Sequence, residues 1–381
     1  MPTLKTGAFA TGGGGTDGPA ESGMTRILLL GAGKIGSMIA HLLHSTGEYT
    51  LTVADHAAAS LHHVAESEAD RMVLDVSDPA ALRRAMNGHA MVVSALPFYL
   101  NATVAAVARD AGAHYFDLTE DVATTRRVRA VAEGAATAFV PQCGLAPGFV
   151  SIAAYDLARR FDSLRDVQMR VGALPIFPTN ALKYNLTWST DGLINEYCNL
   201  CEAIHEGTVH EVLPLQGLER FSLDGVEYEA FNTSGGLGTL CDTLAGRVRT
   251  LNYKTVRYPG HRDAIKFLAQ DLRLAERRDL FKDVLETAVP MTKQDVVLVF
   301  VTVSGHQDGR LMQESFARKI YNATIGGVPW SAIQITTAAG ICAMIDLLRD
   351  GKLPQQGFVR QEDAQLSDFL SNRFGRHYAE G

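Results

Sequence analysis

No stretch of about 18 consecutive apolar residues occurs in the chain, so nothing reads as a transmembrane helix. No basic segment leads into an apolar core near the start, so nothing reads as a secretory signal. Cysteine is scarce. Cys143, Cys198, Cys201, Cys241 and Cys342 are odd in number and scattered, which excludes a disulfide framework and fits free thiols in a reducing cytoplasm. Excess positive charge is also missing. A net charge of −7 argues against a nucleic-acid backbone or an anionic membrane surface as partner, but leaves room for a small anionic ligand at a local site. Internal repeats are absent. What is present is 46% hydrophobic residues over 381 positions, too apolar for a disordered chain and long enough for two or three cores.

Residues 1–23 are poor in large apolar side chains and contain four consecutive glycines, 12–15. Such a segment cannot offset its ordering entropy and is expected to be disordered. Met24, directly before the first apolar run, is the expected natural start. From there short apolar runs at 26–30, 50–54, 71–74, 90–94, 114–116 and 137–140 alternate with helical patterns at 34–45, 57–67, 79–86, 101–111 and 122–133. That alternation predicts an α/β domain, a doubly wound parallel sheet over 24–147. Beyond Gly148 the pattern changes. Strands are expected at 167–171, 250–257, 296–304 and 310–320, the last two joined through His306-Gln307-Asp308-Gly309. Helices are expected at 150–160, 191–205, 261–269, 280–288 and 330–349. This is a second, α+β domain over 148–335 with a largely antiparallel sheet, followed by a C-terminal helix and tail over 336–381 that would pack back on the first domain.

Gly31-Ala32-Gly33-Lys34-Ile35-Gly36 follows the first strand and opens a helix. Gly31 permits the turn, Gly33 lets a pyrophosphate approach the backbone, and Gly36 lets helix and strand pack closely. Free amides and the helix dipole then hold the phosphates. Asp55 ends the second strand nineteen residues past Gly36, where a carboxylate binds ribose hydroxyls and repels a 2′-phosphate. His56 and the four residues after it include no Lys or Arg, so NAD is expected rather than NADP. Asp75 stands either near the adenine or as a helix N-terminal acid. Ser94-Ala95-Leu96-Pro97 leaves the fourth strand, where ligands lie in such sheets.

The second half offers polar clusters. Gln142-Cys143-Gly144-Leu145-Ala146-Pro147-Gly148 joins the domains where cofactor and substrate would meet. Lys183-Tyr184-Asn185-Leu186-Thr187-Trp188-Ser189 packs cationic, amide, aromatic and hydroxyl groups together. Phe231-Asn232-Thr233-Ser234-Gly235-Gly236-Leu237-Gly238 is either an anion nest or a flexible turn. In Lys254-Thr255-Val256-Arg257-Tyr258-Pro259-Gly260-His261, Lys254 and Arg257 suit a carboxylate. His261 would start a helix, where the dipole favours the neutral imidazole that a general base requires. Cys198, Cys201 and His205 have helical spacing, but no second ligand pair accompanies them. They are read as core thiols on an amphipathic helix over 193–203, and no metal is expected.

The segments GAGKIG, VVSALPFYLN, HYFDLTED, CGLAPGF, LKYNLTWSTDGLINEY, EAFNTSGGLGTL, YKTVRYPGH and ITTAAG resemble the saccharopine dehydrogenase-like family, and within it the lysine 6-dehydrogenases. The resemblance runs from Thr25 to about Tyr378. It implies a Rossmann domain followed by a catalytic and dimerising α+β domain, hence a homodimer or higher homo-oligomer. It also implies NAD-dependent oxidation of L-lysine at the ε-carbon, giving a semialdehyde that cyclises, with release of ammonia. By motif, Gly31, Gly33, Gly36 and Asp55 hold the cofactor and Ser94, Leu96 and Pro97 flank it. Asp117, Asp121, Cys143, Lys183, Arg257 and His261 are the polar candidates around the substrate, with Thr233 and Gly144 in the same motifs.

The chemistry needs a base, because a free lysine amine has a pKa near 10.4 and must lose a proton before hydride departs. His261 is the expected base, with Asp121 and Lys183 as rivals and Cys143 in a positioning or proton-transfer role. Arg257, with Lys254, would bind the α-carboxylate, while Trp188 and Tyr184 cover the aliphatic chain. Two other readings stay open: a saccharopine or carboxynorspermidine-type dehydrogenase acting on a secondary amine, and a non-catalytic NAD-binding sensor.

Overall fold

The computed structural model describes residues 24–379. The glycine-rich segment 1–23, and with it the expectation of disorder, lies outside the described residues. The first sheet is built from β1 (Thr25–Leu30), β2 (Tyr49–Asp55), β3 (Asp70–Val73), β4 (Met91–Ser94), β5 (His114–Asp117) and β6 (Ala138–Val140). All its pairings are parallel. Helices α1 (Lys34–His44), α2 (Pro79–Met86), α3 (Asn101–Ala111) and α4 (Val122–Ala132) connect the strands. Their boundaries follow local signals. Asp78 caps α2 ahead of Pro79, and Asp121 caps α4. The expected helix at 57–67 is only a 3₁₀ turn at Ser60–His63. The strand order β6-β5-β4-β1-β2-β3 reverses between β1 and β4. The loops after those two strands therefore flank the crevice where ligands bind in such sheets.

Helix α5 (Phe149–Ala158) leads into the second sheet, made of β7 (Ser163–Pro175), β8 (Cys201–His205), β9 (Thr208–Val212), β10 (Glu219–Leu223), β11 (Val226–Asn232), β12 (Val248–Arg257), β13 (Asp295–Gln307) and β14 (Arg310–Tyr321). Its main path is β10-β11-β12-β7-β13-β14, with β7 and β12 parallel and the other neighbours on the path antiparallel. A doubly wound sheet and a second α+β domain is the expected fold class. The differences are local. The helix expected over 191–205 is α6 (Thr190–Cys198), which stops before β8. Cys198 and Cys201 therefore sit on different elements, and the amphipathic helix over 193–203 does not form. Helices α7 (Leu240–Leu244), α8 (His261–Lys266) and α9 (Arg278–Ala288) complete this half.

A short hairpin, β15 (Ala323–Ile325) with β16 (Val328–Trp330), precedes α10 (Ala332–Arg349). By length and composition α10 is apolar enough to cross a membrane, a property that a scan for unbroken apolar runs misses. Here 89% of it is buried within the protein. It packs on α1 and against the second sheet, so one core spans both halves. Each fully buried Ile or Leu on it, such as Ile341 and Ile345, contributes about 1.5–3 kcal/mol. Buried Asp295 accepts Ala332 N–H at 2.5 Å and Ile333 N–H at 3.1 Å, fixing the helix start. After α10, β17 (Gly357–Phe358) joins the first sheet beside β6, and α11 (Leu366–Ser371) packs against α5 and α10.

Candidate functional site

The glycine loop is shaped by close contacts. A Cβ at Gly36 would stand 1.9 Å from Gly31 O, and Gly31 has φ +99° with Ala95 O against it. Gly33 faces open space and caps α1 with no side-chain hydrogen bond, leaving first-turn amides for phosphate oxygens. Asp55, at the end of β2, accepts Ala32 N–H and Ala57 N–H, both at 2.9 Å, which fixes a carboxylate beside the loop. These residues fit a dinucleotide with its pyrophosphate on α1.

A cavity of about 380 Å³ opens next to this loop, between the two halves. One wall is nucleotide-side: Ile35, residues 95–99 after β4, and Glu120 after β5. The opposite wall is Val171 and Ala173 of β7, with Tyr253, Thr255 and Arg257 of β12. Strand periodicity places 253, 255 and 257 on one face. Trp188, Ser189, Gly192 and Glu196 close one side, and Ile333 and Thr337 of α10 close another. Gly192 is essential to that packing, since a Cβ there would lie 2.3 Å from the Trp188 ring and 3.2 Å from Glu120 Oε1.

Among the described residues, the acidic and basic side chains on the cavity wall are Glu120, Asp191, Glu196 and Arg257. Asp191 is paired outward with Lys282 at 2.7 Å. Burial pushes the carboxyls of Glu120 and Glu196 up to about 7, with Arg257 opposing the rise at Glu196. Arg257 donates through Nε to Tyr197 OH (3.2 Å) and through one terminal nitrogen to Thr255 Oγ1 and Val256 O (2.9 Å each). Its other terminal nitrogen lies 3.7 Å from Glu196 Oε2. The turn after Arg257 is held by Glu229, which accepts Gly260 N–H and Arg262 N–H.

The model of the saccharopine dehydrogenase NADP binding domain matches residues 27–140, and that of the saccharopine dehydrogenase C-terminal domain matches 144–375. The chain belongs to the saccharopine dehydrogenase family. A saccharopine dehydrogenase [NADP(+), L-glutamate-forming] of Schizosaccharomyces pombe is 26% identical over 199 residues. That match covers 50% of this chain and 44% of the yeast protein, so the chain spans less than half the length of that relative. The apo structure of saccharopine dehydrogenase (L-Glu forming) from Saccharomyces cerevisiae has the same fold: TM-score 0.74 at 16% identity, covering 91% of this chain and 97% of that one.

In this family member the expected site residues divide. Ala95, Leu96, Pro97, Gly144, Trp188 and Arg257 line the cavity. Ser94 is buried and donates to Asn101 Oδ1, shaping the loop from behind. His56 is solvent-exposed beside Asp55. Asp75 is held in its own turn by Ser77 and is not the cap of α2, which is Asp78. Lys34 is exposed, its ammonium 3.5 Å from Met291 Sδ.

Several candidates do not reach the cavity. Asp117 is fully buried and accepts from Tyr115 OH, Thr119 N–H and Gln142 N–H, so it braces loops instead of meeting a ligand. Asp121 caps α4, and the cavity carboxylate is its neighbour Glu120. Cys143 is fully buried, donates to Val140 O and receives Gln361 Nε2; burial raises its thiol well above the usual range. Lys183 is exposed and donates to Pro259 O. Lys254 pairs with Glu219 at 3.0 Å, on the sheet face opposite Tyr253 and Thr255. Tyr184 and Thr233 are buried beside the cavity and are absent from its lining. The loop 235–238 is no anion nest: Gly235 admits the Glu120 backbone and Gly236 admits the Tyr253 ring.

The largest correction concerns His261. It is fully buried, with Nδ1 2.8 Å from Leu182 O and Nε2 2.9 Å from Tyr197 OH. The carbonyl can only accept, so Nδ1 carries the proton and Nε2 accepts from Tyr197. Burial and Arg257 push its pKa down to about 3. The imidazole is neutral, but both nitrogens are occupied, so it serves Tyr197 and, through it, Arg257. Glu120 and Glu196 were missed by sequence reasoning; Glu120 sits directly beside the residue chosen.

Proposed function

We propose that the protein is an NAD-dependent dehydrogenase that oxidatively deaminates the ε-amine of L-lysine to the 6-semialdehyde, releasing ammonia. The observation that carries this reading is the charge inventory of the cavity wall. Apart from Asp191, which Lys282 pairs, it holds two carboxylates and one guanidinium. Lysine presents the complement: two ammonium groups and one carboxylate. Saccharopine carries three carboxylates, for which Arg257 is the sole cation on this wall among the described residues. The names of both relatives favour a second reading, a saccharopine-type secondary-amine substrate, and the charge count opposes it.

Glu120 lies on the nucleotide-side wall and suits the general base. With its carboxyl near 7 it takes a proton from the substrate ammonium close to neutral pH. When bound, the nicotinamide supplies the oxidising power, taking two electrons and a hydrogen from the ε-carbon. Glu120 releases the ammonium proton to solvent, accepts another from the water that attacks the resulting substrate iminium, and passes it to the amine nitrogen of the carbinolamine. The C–N bond then breaks, ammonia leaves, and the hydroxyl proton returns to Glu120 as the carbonyl forms. The apolar walls, Leu118, Leu145, Trp188 and Ile333, keep bulk water away.

The choice of NAD rests on Asp55, whose fixed charge opposes a 2′-phosphate, and on the absence of Lys and Arg over 56–60. Asp55→Ala should narrow the preference for NAD over NADP by about tenfold, read as the ratio of kcat/KM values; an unchanged ratio would remove Asp55 from cofactor choice. The activity itself is tested by supplying NAD with lysine and following NADH and ammonia together. One ammonia per NADH is expected, and NADH formation without ammonia would sink the reading.

A further inference from the structure

The segment ITTAAG, 335–340, lies in the first half of α10 and belongs neither to the glycine loop nor to the charged groups of the cavity. Between 332 and 348 every residue of α10 is buried except Thr337. That single opening is onto the cavity, where Thr337 and Ile333, one turn apart, form part of the wall. The two threonines of the segment differ. Thr336 spends its hydroxyl inside the helix, donating to Ala332 O at 2.8 Å. Among the described residues, Thr337 Oγ1 has no hydrogen-bond partner.

Two close contacts fasten this helix to the nucleotide half. Gln334 donates through Nε2 to Lys34 O at 2.9 Å, in the first turn of α1, while its Oε1 accepts Ser331 N–H at 3.1 Å. Two turns further on, Gly340 lets α10 close on the loop after β6, since a Cβ there would stand 2.7 Å from Cys143 O. Between these fastenings Thr337 faces the same loop. A Cβ built on Gly144 would lie 4.0 Å from Thr337 Cγ2 and 3.8 Å from Leu118 Cδ2.

The direction of a dinucleotide decides which of its groups comes to this wall. Asp55 ends β2, the position that receives the adenosine ribose, on one side of the crevice between β1 and β4. The nicotinamide end then runs to the other side, over the loops after β4, β5 and β6, which supply Ala95, Leu118 and Gly144 to the cavity. We propose that Thr337 Oγ1 anchors the carboxamide of the nicotinamide ring. A hydroxyl both donates and accepts, as the carboxamide does. Thr337 carries no charge, which suits an amide and leaves the ionic groups of a substrate to Glu120, Glu196 and Arg257. The C-terminal helix thus completes a site whose phosphate end is built by α1, and Gln334 holds the two ends in register. The proposal rests on the fit of the glycine loop to a dinucleotide and is independent of the substrate reading. NAD and NADP both carry the carboxamide.

The test compares ligands with and without the ring. Dissociation constants are measured by calorimetry, with no substrate present, for whichever of NADH and NADPH binds more tightly. The ring-free counterpart, ADP-ribose or 2′-phospho-ADP-ribose, is measured beside it. Thr337→Val keeps the volume and removes the hydroxyl. It should weaken the reduced dinucleotide about tenfold and leave the ring-free ligand within about twofold. Unchanged ring-free binding also shows that the variant is folded. Thr337→Ser, which restores a hydroxyl, should stay within about threefold of the unaltered protein for both ligands. A reduced dinucleotide that Thr337→Val binds as tightly as the unaltered protein does, or equal losses for the two ligands, would overturn the proposal. Because no substrate enters these measurements, a failure of lysine turnover bears on the proposed activity alone.

Discussion

The two halves of the cavity are built on different principles. On the nucleotide side the working groups are backbone atoms: the amides of one turn, exposed because Gly31, Gly33 and Gly36 leave room. Their placement is local in sequence. On the substrate side the working groups are side chains drawn from β12, α6 and the segment before α6, with Glu120 reaching in from the loop after β5. Their placement depends on contacts between segments as far apart in the chain as Glu120 and Arg257. A backbone site tolerates changes of side-chain chemistry and fails on changes of volume. A side-chain site behaves the other way.

That contrast is open to attack by substitution. The largest effect is expected at Glu120: Glu120→Gln keeps volume and removes the proposed base, so kcat should fall about 10²–10⁴-fold with NAD affinity unchanged. In the unaltered protein the sign of the pH dependence follows from the raised carboxyl. Below about 7 Glu120 is protonated and cannot accept a proton, so kcat/KM should rise as pH rises through about 7 and then level off. A pH profile flat from 6 to 8, or a Gln variant of ordinary turnover, would remove Glu120 from the chemistry.

Next comes Gly36→Ala, a volume change without new chemistry. Its Cβ would meet Gly31 O at 1.9 Å, so the loop must shift and NAD affinity should fall by about 100-fold, seen by fluorescence titration. Smaller again is Tyr197→Phe, which frees His261 Nε2 and Arg257 Nε. KM for lysine should rise about tenfold while kcat holds, marking a positioning residue. The smallest effect is expected for Lys254→Ala. Its partner is Glu219 on the other sheet face, so kcat/KM should stay within about twofold. A large loss there would place the substrate face of β12 on the wrong side.

The same contrast explains what was legible in the chain. The alternating strands and helices up to β6 and the glycine loop are local patterns, legible in the chain except at 57–67, where a 3₁₀ turn replaces the expected helix. The hairpin at Asp308-Gly309 was found, yet Asp224-Gly225 and Glu206-Gly207, with the same paired positive φ values, were passed over, and β8 to β11 went with them. That signal was available. The substrate side was less so. Arg257 and Lys254 are expected together at a substrate carboxylate; Arg257 lines the cavity, whereas Lys254 does not, because three positions along a strand reverse the face. His261 was assigned its neutral state on a dipole argument; burial and Arg257 supply the cause, and burial also removes it from the substrate. Glu120 and Asp121 are adjacent acids, and only the cap at Thr124 decides which one turns inward. Nothing in a linear pattern marks that choice.

The central claim is that two carboxylates facing one guanidinium select a diamino acid. The most direct test is the ratio of kcat/KM for lysine to that for saccharopine, both measured with NAD at pH 8. The account predicts a ratio above about 100 in favour of lysine. A ratio below one would contradict it and assign this cavity to the secondary amine.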